Sequence, residues 1–344
     1  MRKTVLLTGA SGVVGQALMP MLAARNELIC LTHRAPVHEG FAQLPADLTR
    51  PGIGLDSRRY TDLVRRIDAI VHGAAITHFG ANGHAMRNLN VTGTQRILGL
   101  AEQAGVPVYH LSTAFVARVN QAAARPRTAG ESSPVDYLKS KIAAEEIVRA
   151  SGQPAVILRP SVVFGDSVTG RIARHQGLHG ILGAFLSNRL PLLTMERHSR
   201  VDFVSQDVVA RAVTALIDTG ITRGEYWLTA GSAALPAAQM VDAVAQFARG
   251  LGLRIDTPRM VCPDVVNRLI RPVFIDSLPR PDRRRFEDMY SMTSVFDAVE
   301  PFPTDLGGIP GTSAPTPETL TASLRAALRH LVRVKFEKSE GRVA

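Results

Sequence analysis

Three glycines spaced three apart, placed between an apolar strand and a helix, leave few folds open to this chain. The strand is predicted over residues 4–8, Thr4-Val5-Leu6-Leu7-Thr8, and the helix over 13–25, where apolar positions recur at helical spacing. Between them lies Gly9-Ala10-Ser11-Gly12-Val13-Val14-Gly15. Glycine permits the tight turn and lets the backbone come close to a pyrophosphate. The helix behind it offers free N–H groups and the positive end of its dipole. A bare glycine triplet carries little. In strand, turn, helix order it predicts a dinucleotide site that uses Gly9, Ser11, Gly12, Val13, Val14 and Gly15. Pro20, inside the helix, is expected to kink it, since proline lacks the N–H of the helical ladder.

The alternation continues. Short apolar runs at 28–32, 41–46, 68–72, 106–111 and 155–158 read as strands, and 57–66, 85–104 and 134–149 as helices. That order predicts an α/β, Rossmann-like doubly wound parallel sheet covered on both faces, with its ligand crevice at the carboxyl ends of the strands. Beyond Gly165 the pattern becomes irregular. Residues 177–193 are apolar with Gly and Pro punctuation, 201–218 resume strand then helix, and 224–229 read as another strand. Residues 235–301 hold helices broken by Pro263, Pro272, Pro279 and Pro281, followed by a loop at 302–317 and a last helix at 318–332. The expected organisation is a nucleotide-binding domain over 1–165, completed by 200–230. A smaller, mostly helical substrate-binding region at 166–199 and 231–332 is interleaved with it, and 333–344 form a frayed basic tail.

At 344 residues and 45% hydrophobic content, the chain can bury a sizeable core. No apolar stretch approaches a membrane span, and the N-terminal apolar run enters the glycine loop too soon for a signal peptide. Cys30 and Cys262 form no Cys-x-x-Cys motif, which fits a reduced, cytoplasmic protein. The net charge of +10 is scattered, with local clusters at Arg283-Arg284-Arg285 and in the tail. There is no zinc finger, RNA-recognition signature or aromatic-interleaved basic stripe, so no nucleic-acid partner is expected. A basic surface also draws in phosphate-bearing substrates. His175 and His179 have i, i+4 helical spacing but no acidic or third histidine ligand in a recognised pattern, and no metal is expected.

Tyr137 and Lys141 stand four residues apart within the 134–149 helix and share one face. A phenol beside an ammonium can act as a general acid near neutral pH, because the cation stabilises the phenolate and lowers the reference pKa of about 10. With the glycine loop, the pair suggests hydride transfer. The second strand ends in Leu31-Thr32-His33-Arg34, with no acid before Glu39 to bond the ribose hydroxyls of NAD. Arg34, helped by His33 or Thr32, can pair with a 2′-phosphate instead, which favours NADP and leaves NAD as the alternative.

Several ordered segments then carry a family resemblance. They are the glycine loop, Ala46-Asp47-Leu48-Thr49-Arg50-Pro51, Val71-His72-Gly73-Ala74-Ala75, Asn90-Val91-Thr92-Gly93-Thr94 and His110-Leu111-Ser112-Thr113. The Tyr137 helix and Leu158-Arg159-Pro160-Ser161-Val162-Val163-Phe164-Gly165-Asp166-Ser167 complete the set. On these the chain resembles the extended short-chain dehydrogenase/reductases, and within them the thioester-reductase and fatty acyl-coenzyme A reductase branch with its male-sterility-type NAD-binding domain. The resemblance spans roughly residues 3–229 and weakens afterwards.

The resemblance implies that Asp47 bonds the adenine amino group, with Leu48 alongside. It implies that Ala74 and Ala75 form a loop against ribose and pyrophosphate, and that Asn90 begins or braces the long helix behind them. Thr113, Tyr137 and Lys141 match the catalytic set, with Ser112 an adjacent candidate, while Pro160, Ser161 and Val162 would line the nicotinamide. Turn capping by Asp47 and a purely structural Asn90 are the alternatives. Two positions depart from the family pattern: Gly73 replaces a common Asn, and Ala117-Arg118 replace a common Tyr-Gly.

The implied reaction is NADPH-dependent reduction of an acyl thioester or aldehyde, with Tyr137 as proton donor, Thr113 orienting the oxygen and Lys141 holding the nicotinamide ribose. The substrate would arrive on coenzyme A or on a carrier protein, and a homodimer is compatible with the chain. Residues 177–193 are either a wall for an acyl chain or plain core. The rival readings are a sugar-nucleotide epimerase or dehydratase, a hydroxysteroid-type dehydrogenase, and a non-catalytic NAD(P)-binding sensor or assembly subunit.

Overall fold

The computed structural model describes residues 2–38, 40–78, 81–120, 133–175 and 177–340. Its centre is a seven-stranded sheet built from β1 (Thr4–Thr8), β2 (Glu27–Thr32), β3 (Ala42–Pro45), β4 (Ala69–His72), β5 (Val108–Leu111), β6 (Ala155–Pro160) and an edge strand, Gly224–Leu228. The order across it is edge strand, β6, β5, β4, β1, β2, β3, and every neighbouring pair is parallel. β1 is the switch point: the chain winds outward to β3 on one side and to the edge strand on the other, which opens a crevice above its carboxyl end.

Both faces of the sheet are covered, and the strand sequences show why. Val5 and Leu7, Leu28 and Cys30, Ala69 and Val71, Tyr109 and Leu111, and Val156 and Leu158 point to one face. There they meet Leu18 and Leu22 of α1 (Val13–Arg25) and Val209, Val213 and Leu216 of the helix Gln206–Asp218. Leu6, Ile29, Leu31, Ile70, Val108 and Ile157 point to the other face, against Leu63 of α2 (Ser57–Arg66), Ile97 and Leu100 of the α4 helix (Gly93–Ala104) and Val148 of α5 (Pro134–Ala150). A short α3 (Gly83–Arg87) precedes α4.

Several sequence expectations are refined here. α1 runs unbroken through Pro20, which lies on the exposed side, where solvent can serve the carbonyl that lost its donor. The helix expected over 85–104 is three segments: α3, a π-helical turn at Asn88–Thr92, and α4. Pro263 and Pro281 sit in first turns of helical segments, where a missing N–H costs nothing, whereas Pro272 is carried inside the π-helical stretch Val266–Ile275. The last helix extends from Pro317 to Glu340 instead of ending at 332, so the expected frayed tail is helical that far, and residues 341–344 lie outside the described set.

The C-terminal elements form their own apolar cluster. Leu178, Ile181, Leu182 and Phe185 of the helix Gly177–Leu186 pack with Met240 and Val244 of Ala237–Gly250, Val295 and Phe296 of Arg280–Phe296, and Leu324 and Leu328 of Pro317–Glu340. Ala114 and Phe115, just past β5, and Leu138 of α5 join this cluster. The crevice above β1 therefore has the sheet as its floor and this helical assembly as a wall.

Candidate active site

A cavity of about 1170 Å³ runs along the carboxyl ends of the strands, above the roughly 300–1,000 Å³ of ordinary ligand pockets. Its first wall is the glycine loop. Gly9 has φ +75°, and a Cβ there would lie 2.5 Å from the Gly73 carbonyl carbon. A Cβ on Gly15 would lie 2.2 Å from the Gly9 oxygen. The close approach of three backbone segments thus demands glycine at both positions. Gly12 caps α1 without a side-chain hydrogen bond, so the helix N-terminus presents its backbone donors at the cavity.

The loop opposite is fixed by a buried hydrogen-bond chain. Thr94 Oγ1 donates to the Asn90 carbonyl at 2.7 Å, so it accepts from His72 Nε2 at 3.1 Å. His72 Nδ1 then accepts from Thr8 Oγ1 at 2.8 Å, and Thr8 Oγ1 in turn accepts from the backbone N–H groups of Gly73 and Ala74, both at 3.1 Å. Burial lowers His72 to about 3, with a smaller push from the Lys141 charge, so the imidazole is neutral as this pattern requires. His72 lies within the Val71–Ala75 motif, yet its neighbours in the chain carry no sign of this role. Gly73, the departure from the family pattern, is one of the two donors that meet Thr8.

All the expected site residues except Asn90 line the cavity. Asn90 lies behind the wall in the π-helical turn, where it donates to the Ile76 carbonyl and the Ser140 hydroxyl, both at 3.0 Å, and accepts from the Ile76 N–H at 2.8 Å. It braces the segment carrying Ala74 and Ala75. Asp47 lines the cavity and also caps its turn, accepting from the Thr49 N–H at 2.9 Å and the Thr49 hydroxyl at 2.6 Å. Those bonds, with His33 and Arg50 nearby, hold its carboxyl below the usual carboxylate range despite a desolvation cost. Thr32, His33 and Arg34 lie at the end of β2 on the same wall, and Arg34 is exposed there.

The catalytic candidates converge from β5 and α5. Ser133 and Asp136 form a reciprocal capping box with Pro134 at the first turn, which fixes where α5 starts and hence where Tyr137 emerges. Farther along, Arg159 of β6 makes a two-point pair with buried Glu145 at 3.0 and 2.7 Å, anchoring α5 to the sheet. Thr113 follows the end of β5 and hydrogen-bonds Tyr137 through its side chain. Lys141, 4% exposed, donates from Nζ to the Leu111 carbonyl at 2.6 Å.

The electrostatics depart from the expectation in one respect. Tyr137 is pushed up to about 12 by burial, against the opposing hydrogen bond from Thr113, and is not lowered by Lys141. Lys141 is itself pulled down to about 8 by burial, against the attraction of Glu145 one turn on. The phenol is therefore protonated at neutral pH, the form that donates a proton. Ser112 Oγ is buried beside Thr113 without a hydrogen-bond partner among the described residues.

Other residues of the site were not foreseen. Asp288, Ser291, Val295 and Phe296 of one helix, with Phe115, Arg174 and His175, also line the cavity. Of the apolar stretch 177–193, only Gly177 and Leu178 reach it, and Ile181, Leu182, Phe185, Leu186, Leu190 and Leu193 are core. Arg118, from the second departure, turns away: its guanidinium lies 3.8 Å from the Phe302 ring centroid and donates to the Glu300 carbonyl. His175 stacks on His179 at 5.7 Å, and no group of three or more metal-ligating side chains occurs among the described residues.

The model of the male sterility protein family matches residues 37–213, from just past β2 through most of the helix Gln206–Asp218. The chain belongs to this family. With it comes membership of the extended short-chain dehydrogenase/reductases, in their thioester-reductase branch, a class of NAD(P)-dependent oxidoreductases. Among the relatives of this male-sterility-type chain, a hybrid PKS-NRPS synthetase of Penicillium oxalicum is 30% identical over 234 residues, covering 61% of this chain and 6% of the synthetase. An isonitrile lipopeptide synthase of Streptomyces coeruleorubidus is 28% identical over 242 residues, 60% of this chain and 16% of that protein. The chain thus spans a small fraction of these curated relatives.

Among solved structures, the terminal R domain of the myxalamid PKS-NRPS pathway has a TM-score of 0.68 at 22% identity, covering 96% of this chain and 91% of that one. The reductase domain of a nonribosomal peptide synthetase from Mycobacterium tuberculosis has a TM-score of 0.65 at 18% identity, covering 96% and 93%. At these identities the structural likeness establishes the fold. No helix among the described residues is long and apolar enough to cross a membrane.

Proposed function

We propose that the protein reduces an acyl thioester, with NADPH as hydride donor and Tyr137 as proton donor. The observation that carries this reading is the meeting of Thr113, Tyr137 and Lys141 on one cavity with the glycine loop. The residues present fit a dinucleotide: the uncapped α1 terminus and the backbone of Gly9, Gly12 and Gly15 suit a pyrophosphate, and Ala74, Ala75, Asp47 and Leu48 suit the adenosine half. Pro160, Ser161 and Val162 suit the nicotinamide. Arg34, with His33 and Thr32 beside it and no acid on β2's end, favours a 2′-phosphate and hence NADP over NAD.

The cofactor supplies the hydride. Thr113 and Tyr137 direct hydroxyls at the substrate carbonyl, so negative charge growing on that oxygen meets donors already in place. Tyr137 gives its proton to the nascent alkoxide, and the hydrogen bond with Thr113 favours the phenolate left behind. Lys141 uses one donor on Leu111, and its three-donor ammonium is suited to the nicotinamide ribose as well. The resulting hemithioacetal collapses to an aldehyde and a thiol.

We assign residues 1–165 and 200–230 to cofactor binding, and 166–199 and 231–332 to the substrate. A thioester on a carrier protein or on coenzyme A is the proposed partner, supported by relatives that are named as PKS-NRPS synthetases.

The test is a spectrophotometric NADPH panel against acyl-coenzyme A esters, aldehydes and alcohols, run with Tyr137→Phe in parallel. Wild type should oxidise NADPH with a thioester, and the variant should lose about 100-fold or more in kcat at unchanged NADPH affinity. Full turnover by the variant overturns the mechanism.

A further inference from the structure

The helix Arg280–Phe296 reaches the cavity with Asp288, Ser291, Val295 and Phe296, at spacings that place them along one face. The face changes character along its length. Asp288 is exposed, whereas Val295 and Phe296 are 6% and 7% exposed. Phe296 meets Phe115 edge-on at 5.3 Å, and Phe115 follows Thr113 by two residues. Phe115 is held in turn by Phe302, also at 5.3 Å and nearly perpendicular.

Phe115, Leu138, Leu178, Val295 and Phe296 belong to one apolar cluster, and Tyr137 and Val162 pack against it. All seven residues also line the cavity. The catalytic phenol therefore backs onto an apolar wall closed by a locked aromatic pair. A carbonyl whose oxygen is held by Thr113 and Tyr137 places a carbon substituent against that wall. Arg174, His175 and Asp288 also line the cavity and suit the polar handle of the substrate.

We infer that Val295 and Phe296 select the acyl group, Phe296 setting how long an apolar chain is accepted and Val295 how bulky. The inference rests on the thioester reading, since it concerns the acyl side of that substrate. An apolar pocket discriminates by about tenfold or more per methylene, so changes of side-chain volume here should be read in chain-length preference.

The test measures kcat/KM for saturated acyl-coenzyme A esters from acetyl to dodecanoyl with wild type, Phe296→Ala, Phe296→Leu and Val295→Phe, with KM for NADPH alongside. Phe296→Ala should shift the long-to-short ratio upward by about tenfold, Phe296→Leu less, and Val295→Phe downward, with KM for NADPH unchanged. If Phe296→Ala does not fold after losing its contact with Phe115, Phe296→Leu and Val295→Phe carry the test. Uniform loss at all chain lengths, with no shift of the ratio, overturns the inference while leaving the thioester reading intact. A wild type inert toward every thioester overturns that reading, and the same variants on aldehydes of matching length then decide the inference. Inertness toward both overturns both.

Discussion

The sheet side and the helical side of the cavity are built from different materials. From β1, β4 and their loops come glycines, backbone N–H groups and short hydroxyls, set by the Thr8–His72–Thr94 chain and by approaches that leave no room for a Cβ. From Arg280–Phe296 come whole side chains, two of them large and apolar, resting in a packed cluster. Backbone held at fixed spacing suits a ligand whose shape never changes, such as a dinucleotide. Side chains on a helix can be exchanged without disturbing the strands, which suits a ligand that differs from one relative to the next.

If that contrast holds, substitutions on the sheet side should act on cofactor and stability, and those on the helical side on substrate alone. The largest effect is expected for Gly9→Ala. A methyl group there meets the Gly73 carbonyl carbon at 2.5 Å in a left-handed conformation, and relieving it moves both cofactor loops. A cost of about 3 kcal/mol corresponds to roughly 100-fold weaker NADPH binding, read by fluorescence titration.

His72→Gln should cost about 1–3 kcal/mol, by disturbing the hydrogen bonds to Thr8 and Thr94, and should also change the pH dependence of stability. The folded-state value of about 3 lies below the ordinary 6.5, so the unfolded chain binds more protons between them. Stability contributed at this site is present above pH 6.5 and falls as pH drops toward 3, and the variant should flatten that slope in urea titrations. His110, shifted the same way by burial, contributes to the slope that remains.

Arg34→Ala should weaken NADPH by about tenfold and leave NADH unchanged, the loss of one charge-assisted contact. Equal loss for both cofactors would break the 2′-phosphate assignment. The smallest effect on the cofactor belongs to Val295→Phe, for which KM for NADPH should stay at the wild-type value. A marked rise there would erase the distinction between the two sides.

The legibility of the chain follows the same division. β1, the glycine loop and α1 were readable because strand periodicity, turn chemistry and helix start are all local, and the boundaries at Thr4–Thr8 and Val13–Arg25 agree with the sequence. The π-helical turn at Asn88–Thr92 was not, because Asn90 is engaged with Ile76 and Ser140 on separate segments. The ordinary role expected of Lys141 missed its bond to a backbone carbonyl, which carries no sequence signature. Likewise the burial that raises Tyr137 depends on the helices packed over α5 and not on its neighbours in the chain. Arg280–Phe296 was hardest to place. Its first half is dense in Arg and Asp, and only the tertiary fold shows which residues turn toward the cavity.

The proposed function requires hydride transfer and thioester cleavage to be coupled in this one cavity. Thiol release and NADPH oxidation can be followed together, in one cuvette, with purified protein and a saturated acyl-coenzyme A. Thiol should be released in step with NADPH consumed, and none without the cofactor. Protein that retains oxidised cofactor and shows no thioester-dependent oxidation would refute the coupling.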